Sequence, residues 1–525
     1  MDKQPSKSMK QSKVFRAAAK VGSWTMISRI LGFVRDIFIA RLLGASPLAD
    51  AFFVAFKLPN FFRRMFAEGT LTVALVPVLM DERKKGEEDA HAYLNAMAGL
   101  LLAALLLFTI AGMVFMPWLL YAFAPGFYDE PGRWNQALYL AKLMFPYLAL
   151  ISLTAMAWAV LNAYRKFSVA AASPALLNIA IIFAAIILAP LYENPAEALA
   201  IGVLLGGALQ LLIQFPALKR IGWIPKPTWN PKLPAIAATM QLFGPAVLGI
   251  AAVQFNILVG TILATLLPVG AVSYLYYADR IVQLPLALFG IAMGTALLPA
   301  IAEHMSNQRL DDARDDLRQG LTWLTWIILP AVVGLMFMAE PIIRTLFEQG
   351  KFTHSDAINT AHALQAYALG LLAFCWGRVL STACFAGKDA KAPMKYAVYS
   401  VVANIVLAIA LMGPLGYVGL ALATALASFF NVGLLWKHLH QKQGAIFDLK
   451  SSTRMASAAL ACLPMAALLY YLPDYWAFPS ESKTMQFVWL STLVMASMAV
   501  FFASAWLLGE RKLLKGIKRG EKHAA

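Results

Sequence analysis

"SRILGFVRDIFIARLLG", residues 28–44, decides how this chain is read. Its apolar residues suit a membrane-crossing helix, yet Arg29, Arg35, Asp36 and Arg41 interrupt them. An Arg or Asp at the centre of a spanning helix costs about 2.5–3.5 kcal/mol on insertion scales. Either the segment does not cross a membrane, or one of its faces looks onto a hydrated interior.

The rest of the chain removes the first option. The 525 residues are 60% hydrophobic and only 14% charged. Lipid can solvate that much apolar surface, whereas water cannot. Runs of about 20 apolar residues, enough to cross a ~30 Å hydrocarbon layer, recur from end to end. The fold class is therefore an all-α polytopic membrane protein of roughly fourteen transmembrane helices. They start near Gly22, Leu48, Tyr93, Trp134, Val169, Ala198, Pro234, Val272, Leu321, Ala357, Met394, Gly416, Met455 and Met485.

The net charge of +16 raises the question of nucleic acid. The basic residues, however, fall in short loops: Arg83, Lys84 and Lys85; Arg165 and Lys166; Lys219 to Lys232; Arg309 to Arg318; Lys388 to Lys395; Lys437 to Arg454. The intervening connections, such as "LGASPLA", "LYENPAEA", "LLPVGA" and "MGPLGY", are nearly free of lysine and arginine; the weakest member, "EQGKFTHSDA", has one lysine. This alternation reads as topology, not as a nucleic-acid surface, and it puts both termini in the cytoplasm. The loop Tyr128–Arg133 is then expected on the outer side, exposed. Cys375, Cys384 and Cys462 lie in apolar segments and read as packed thiols. The basic stretch 1–20 reads as a cytosolic or interfacial lead-in rather than a cleaved signal.

An internal repeat organises the spans. "VLNAYRKFSVAAASP" (160–174) aligns without gaps with "VLSTACFAGKDAKAP" (379–393), and "GASPLADAFFVAFKLP" (44–59) with "GAVSYLYYADRIVQLP" (270–285). Both offsets are about 220 residues, or six spans, so the halves share one orientation. The expected organisation is an N-terminal lobe over 1–225 (spans 1–6) and a second lobe over 226–445 (spans 7–12). An extra helix pair with a basic cytoplasmic tail follows over 446–525. Transporters built this way bind substrate between their lobes.

The intramembrane charges fall into the same frame. Arg29 and Asp36, seven residues apart, share a helix face, and Asp50, Lys57 and Arg64 repeat that spacing with Glu68 one turn further on. Pro59 interrupts this row, and a kink is expected there. Asp279 and Arg280 enter the membrane close to Pro285. Arginines outnumber the acids at hand, and guanidinium is shaped to bind phosphate with two parallel hydrogen bonds. Arg29, Arg35, Arg63 and Arg280 are the candidate ligands of an anionic substrate, with Asp36, Asp50, Lys57, Arg64, Glu68 and Asp279 as supporting charges. Internal ion pairing, or snorkelling near a helix end as for Arg41, Arg64 and Glu68, is the alternative. No P-loop appears, and His438 and His440 resemble a metal pair only superficially. No catalytic residue, metal or cofactor is expected.

"SRILGFVRDIFIARLLG", "ADAFFVAFKLPNFFRRMFAEG", "YYADRIVQLP" and "GKFT" closely resemble the MurJ (MviN) family of bacterial lipid II flippases, over nearly the whole chain. The resemblance implies a multidrug/oligosaccharidyl-lipid/polysaccharide exporter fold in the bacterial inner membrane, and a transporter rather than an enzyme. The implied activity moves the undecaprenyl-pyrophosphate-linked peptidoglycan precursor, lipid II, between leaflets by alternating access. It also implies that Arg29, Arg35, Arg63 and Arg280 line the central cavity. Gln283 departs from the glutamate frequent at its position in the family. Membrane potential or an ion gradient is the expected drive. Membrane lipids are expected partners, and cell wall synthesis or division proteins are candidate ones. The competing readings are a flippase for another polyprenyl-linked oligosaccharide, a drug or cation antiporter, an enzyme acting on a prenyl-pyrophosphate lipid, and a silent scaffold. An antiporter for organic cations calls for acids and aromatics, and an enzyme for clustered carboxylates, which Asp36, Asp50 and Asp279 do not form in sequence.

Overall fold

A computed structural model describes residues 7–66, 70–479 and 482–510. Among them there is no strand. The helices are α1 (Lys7–Leu43), α2 (Pro47–Phe66), α3 (Thr70–Lys85), α4 (Glu87–Val114), α5 (Met116–Phe123), α6 (Pro131–Met144) and α7 (Tyr147–Ala163). They continue with α8 (Phe167–Phe183), α9 (Pro195–Leu212), α10 (Gln214–Arg220), α11 (Pro234–Thr265), α12 (Ala271–Pro285) and α13 (Ala292–Ser306). The last are α14 (Leu310–Phe337), α15 (Ala339–Phe347), α16 (His354–Ala386), α17 (Lys391–Gln443), α18 (Leu449–Tyr475) and α19 (Lys483–Leu507).

Local chemistry sets several boundaries. Asn194 caps α9 by accepting from the Ala196 N–H, and Thr353–Asp356 and Asp448–Ser451 form reciprocal caps on α16 and α18. Pro285 hands α12 to a wider π-helical turn over Leu286–Ile291. The α2 helix continues through Pro59 to Phe66. The Asn60 side-chain amide donates to the Phe56 carbonyl at 2.7 Å, one residue along from the carbonyl that Pro59 leaves without its donor.

Among the described residues, ten helical segments are long and apolar enough to cross a membrane. The charged α1 and the α2–α3 pair fall outside that criterion, and α11 enters only as the shorter Gln254–Thr265. α17 counts once although two helices meet in it at Gly416 (φ 56°, ψ −134°), just after Pro414. The three cysteines are free and buried, as packed thiols.

The described residues divide into two compact units, Met1–Ser273 with Gln349–Phe352, and Tyr274–Glu348 with Thr353–Ala525. The division falls inside α12. Compactness says nothing about ancestry, so the repeat-based lobes 1–225 and 226–445 and the pair 446–525 are a separate statement.

In the first unit α1 packs on α8, α2 on α6, and α3 on α4, α7 and α11. Leu71, Leu75 and Leu79 recur at four-residue spacing on α3, so one stripe meets Tyr93 and Met97 of α4 and Met156 and Val160 of α7. Gly202 and Gly206 let α9 approach α8, since a Cβ at either would lie 2.6–2.7 Å from Ala184 or Leu177. In the second unit α16 packs on α17 and α14, and α18 on α14 and α19. Ala458, Cys462, Met465 and Leu469 form the α18 stripe against Trp326, Trp489 and Phe501. The C-terminal helix pair thus docks on α14 through aromatic and thioether packing.

Candidate functional site

The opening stretch forms α1, and its charges have separate environments. Asp36 is buried and Arg29 exposed, so the face they share by spacing is covered at one end only. Arg35 folds back on its own neighbour: Nε and Nη2 donate to the Asp36 carboxylate at 3.0 and 2.7 Å. Its Nη1 donates to the Asn178 side-chain oxygen of α8 at 3.0 Å, and Asn178 in turn donates to the Ser28 carbonyl at 2.9 Å. A guanidinium 9% exposed is thus matched by a carboxylate 1% exposed, and the pair ties α1 to α8. A buried cation keeps its charge only with such a partner.

Along α2 the row Asp50, Lys57, Arg64 runs from buried through half-buried to exposed. Lys57 Nζ donates to the Thr261 hydroxyl of α11 at 3.3 Å. Arg63, half-buried, donates from Nε to the Asn60 side-chain oxygen at 3.0 Å, so the amide that serves Phe56 also steers this guanidinium. Glu68 lies outside the described residues.

At the buried end Asp50 is fully enclosed. Its carboxylate accepts from Ser273 Oγ at 2.6 Å, Gly270 N at 2.8 Å and Ser273 N at 3.0 Å, all from the start of α12. The fourth donor is Arg133 Nη2 of α6 at 3.1 Å. The connections 44–49 and 269–272, matched in the sequence repeat, are therefore fastened together through one carboxylate. Beside them Gln349–Phe352 crosses the end of α1, where the Lys351 N–H donates to the Arg41 carbonyl at 2.9 Å. Gly44 and Gly350 both have φ near +60°, and a Cβ at either would come within 2.4 Å of a backbone oxygen across this crossing. The "GKFT" motif owes its glycine to that close approach.

The second unit carries Asp279 and Arg280, both half-buried in α12. Arg280 stacks over the Tyr276 ring at 4.6 Å and donates from Nη2 to its hydroxyl at 3.1 Å. Gln283 donates to Asp279, where a glutamate would instead add a second negative charge.

Sequence reasoning placed Arg133 in an exposed loop, and the structure corrects this. Tyr128 and Glu130 are exposed, but Arg133 is 2% exposed and turns inward at the start of α6. Asn178, Thr261 and Ser273 were also missed. Neutral residues in apolar runs give no signal until their partners across helices are known. His438 faces Asp389 at 2.9 Å.

The bundle defines the class first. Its fold is shared with a structure described as the inward-facing conformation of a multidrug resistance MATE family transporter of the MOP superfamily. That match has a TM-score of 0.64 at 14% identity, over 84% of this chain and 99% of that one. The class is a polytopic helical bundle. Within it, residues 39–493 match the family described as "Lipid II flippase MurJ". A probable lipid II flippase MurJ of Haemophilus influenzae is 37% identical, over 93% of this chain and 98% of its own length. The lipid II flippase MurJ of Burkholderia cenocepacia is 32% identical over 94% and 98%. A solved structure, "Lipid II flippase MurJ, inward closed conformation", matches with a TM-score of 0.78 at 27% identity, over 94% and 99%. The chain belongs to the lipid II flippase MurJ family, as a multi-pass membrane protein of the bacterial inner membrane and a transporter rather than an enzyme.

Proposed function

We propose that this chain carries lipid II from the cytoplasmic to the periplasmic leaflet by alternating access, for cell wall synthesis. The observation that carries the reading is the gradient along α2. Asp50 is sealed under four hydrogen bonds at one end, while Arg63 and Arg64 lie progressively more open toward the other. The sealed end is the one whose connections are poor in lysine and arginine, which the charge bias assigns to the outer side, with both termini cytoplasmic. An outer seal with accessible inner arginines suits the loading of an anionic headgroup from the cytoplasm.

Arg29, Arg35, Arg63 and Arg280 are the proposed headgroup ligands, since lipid II offers a pyrophosphate and peptide carboxylates. Arg35 then exchanges Asp36 for the pyrophosphate, while Asn60 and Tyr276 pre-orient Arg63 and Arg280. The prenyl tail stays in lipid. Moving this cationic assembly across the field couples it to membrane potential at about 2.3 kcal/mol per charge per 100 mV. Purified protein in vesicles loaded with lipid II on one leaflet tests the activity. Leaflet exchange above protein-free vesicles is expected, and chemical turnover of the lipid without exchange would replace the flippase by an enzyme.

A further inference from the structure

Asp50 has two kinds of partner. Gly270 and Ser273 are neutral donors on the connection into α12. Arg133 is a cation on α6, the helix that packs along α2. Arg133 holds a second carboxylate, Glu130, at 3.0 Å, and that side chain is 48% exposed. The face of the guanidinium lies 4.2 Å from the centre of the Phe127 ring. One arm of Arg133 therefore enters a dry pocket and the other reaches the surface.

We infer that Arg133 is a positioning residue of the transport cycle, holding the outer side closed by neutralising Asp50 while that carboxylate is cut off from water. The inference rests on the alternating-access reading. When the outer side opens, Asp50 parts from Gly270 and Ser273 and water reaches it. A hydrated carboxylate has little need of a counter-ion, whereas an enclosed one is strongly disfavoured without it. Loss of Arg133 thus penalises the closed state far more than the open one. Arg133 touches no substrate in this scheme; it acts through Asp50. A plain packing role over Phe127 predicts something else, a defect indifferent to the charge at Asp50.

The test uses full-length protein in inverted and right-side-out membrane vesicles, with Cys375, Cys384 and Cys462 replaced by serine. A reporter cysteine stands at Ala271, which is 1% exposed in the closed arrangement. Its rate of reaction with a membrane-impermeant maleimide applied from outside reports opening. Arg133→Met should raise that rate by at least about tenfold, and Arg133→Lys by less, because an unneutralised buried carboxylate favours opening. In an Asp50→Asn background Arg133→Met should change the rate hardly at all. Should Arg133→Met fail to accumulate, Arg133→Gln, which keeps a donor but not the charge, should give the same dependence on Asp50. Equal effects with Asp50 intact and in the Asp50→Asn background would overturn the inference in favour of packing, as would no effect in either. A reporter unlabelled in every variant, on protein that moves lipid II, would overturn both this inference and the alternating-access reading. The Arg133–Asp50 coupling on protein that moves no lipid II between leaflets would overturn lipid II as the cargo and leave the closing role of Arg133 standing.

Discussion

The two ends of α2 both carry charged residues and are built for opposite purposes. Asp50, Lys57 and Arg64 stand on one heptad row. Asp50 is sealed by four donors from two other parts of the chain, whereas Arg64 is exposed and Arg63, half-buried, donates to Asn60 on its own helix. A charge inside a membrane helix is therefore not one kind of signal. Where partners converge on it, it fastens segments together. Where it lies part-open and a side-chain amide orients it, as Asn60 does Arg63, it is placed to meet something that arrives.

The contrast breaks most completely if the sealed end never moves. Ser46 accepts the Asp50 N–H at its carbonyl, and Val272 lies between the two residues that bind the Asp50 carboxylate. Ser46→Cys joined to Val272→Cys should stop transport entirely and release it on reduction. Undiminished transport with complete crosslinking would show that this end does not gate.

Single substitutions then separate the two ends by kind of defect. Arg29→Ala, Arg63→Ala and Arg280→Ala should each lower lipid II transport by tenfold or more, while stability shifts by less than about 1 kcal/mol. Lysine should rescue only partly, since it lacks the planar fork. Asp50→Ala should do the reverse in emphasis. It leaves Gly270, Ser273 and one arm of Arg133 without their acceptor, at a cost of about 3–5 kcal/mol, visible as a lower unfolding temperature in detergent. If Arg63→Ala and Asp50→Ala lose stability equally, the distinction between fastening and poised charges fails.

Gly350→Ala sharpens the picture where Gln349–Phe352 crosses the end of α1. Its φ is +60° and the new Cβ would come 2.3 Å from the Arg41 carbonyl oxygen, so the strap must shift or strain. A cost of about 1–3 kcal/mol is expected. Labelling of a cysteine at Ala45 from outside should rise accordingly; an unchanged rate would mean that the strap is not part of the seal.

What was legible in the sequence follows from what lipid demands. Continuous apolar runs and alternating basic loops carried the helical fold, because a bilayer tolerates few alternatives. The short helices α5, α10 and α15 carried no comparable signal, since nothing obliges them to span. Among the charges, spacing grouped residues by helix face and misjudged some of their company. Helix-face reasoning pairs positions three, four or seven apart, yet Arg35 pairs with Asp36, its immediate neighbour, by bending a long side chain around the helix. Arg133 was hidden for another reason. It follows "YDEP", which reads as surface, and only the fold reveals Asp50 waiting opposite. Glycines 44 and 350 were visible within motifs, but their mutual crossing required three dimensions.

The smallest effect concerns a tie at the basic end of the second unit, which is neither sealed nor poised. Asp389 sits between α16 and α17, where it accepts from Lys442, from His438 at 2.9 Å and from the Ala392 N–H at 3.1 Å. Those donors, Lys442 first, hold its carboxyl well below the usual carboxylate range. A depressed folded value means that the tie contributes stability above the unfolded value near 4 and loses it as pH falls through that value toward the folded one. Because the tie lies beside solvent, screening limits it to about 0.5–1 kcal/mol. Thermal unfolding in detergent should therefore fall more steeply between pH 5 and 3, on the order of the carboxylate range, for the unaltered protein than for Asp389→Asn. Salt at about 1 M should narrow the difference, as it does for exposed charges. Superimposable pH profiles for the two proteins would mean that Asp389 merely caps α17 through Ala392, and that Lys442 and His438 lend it nothing.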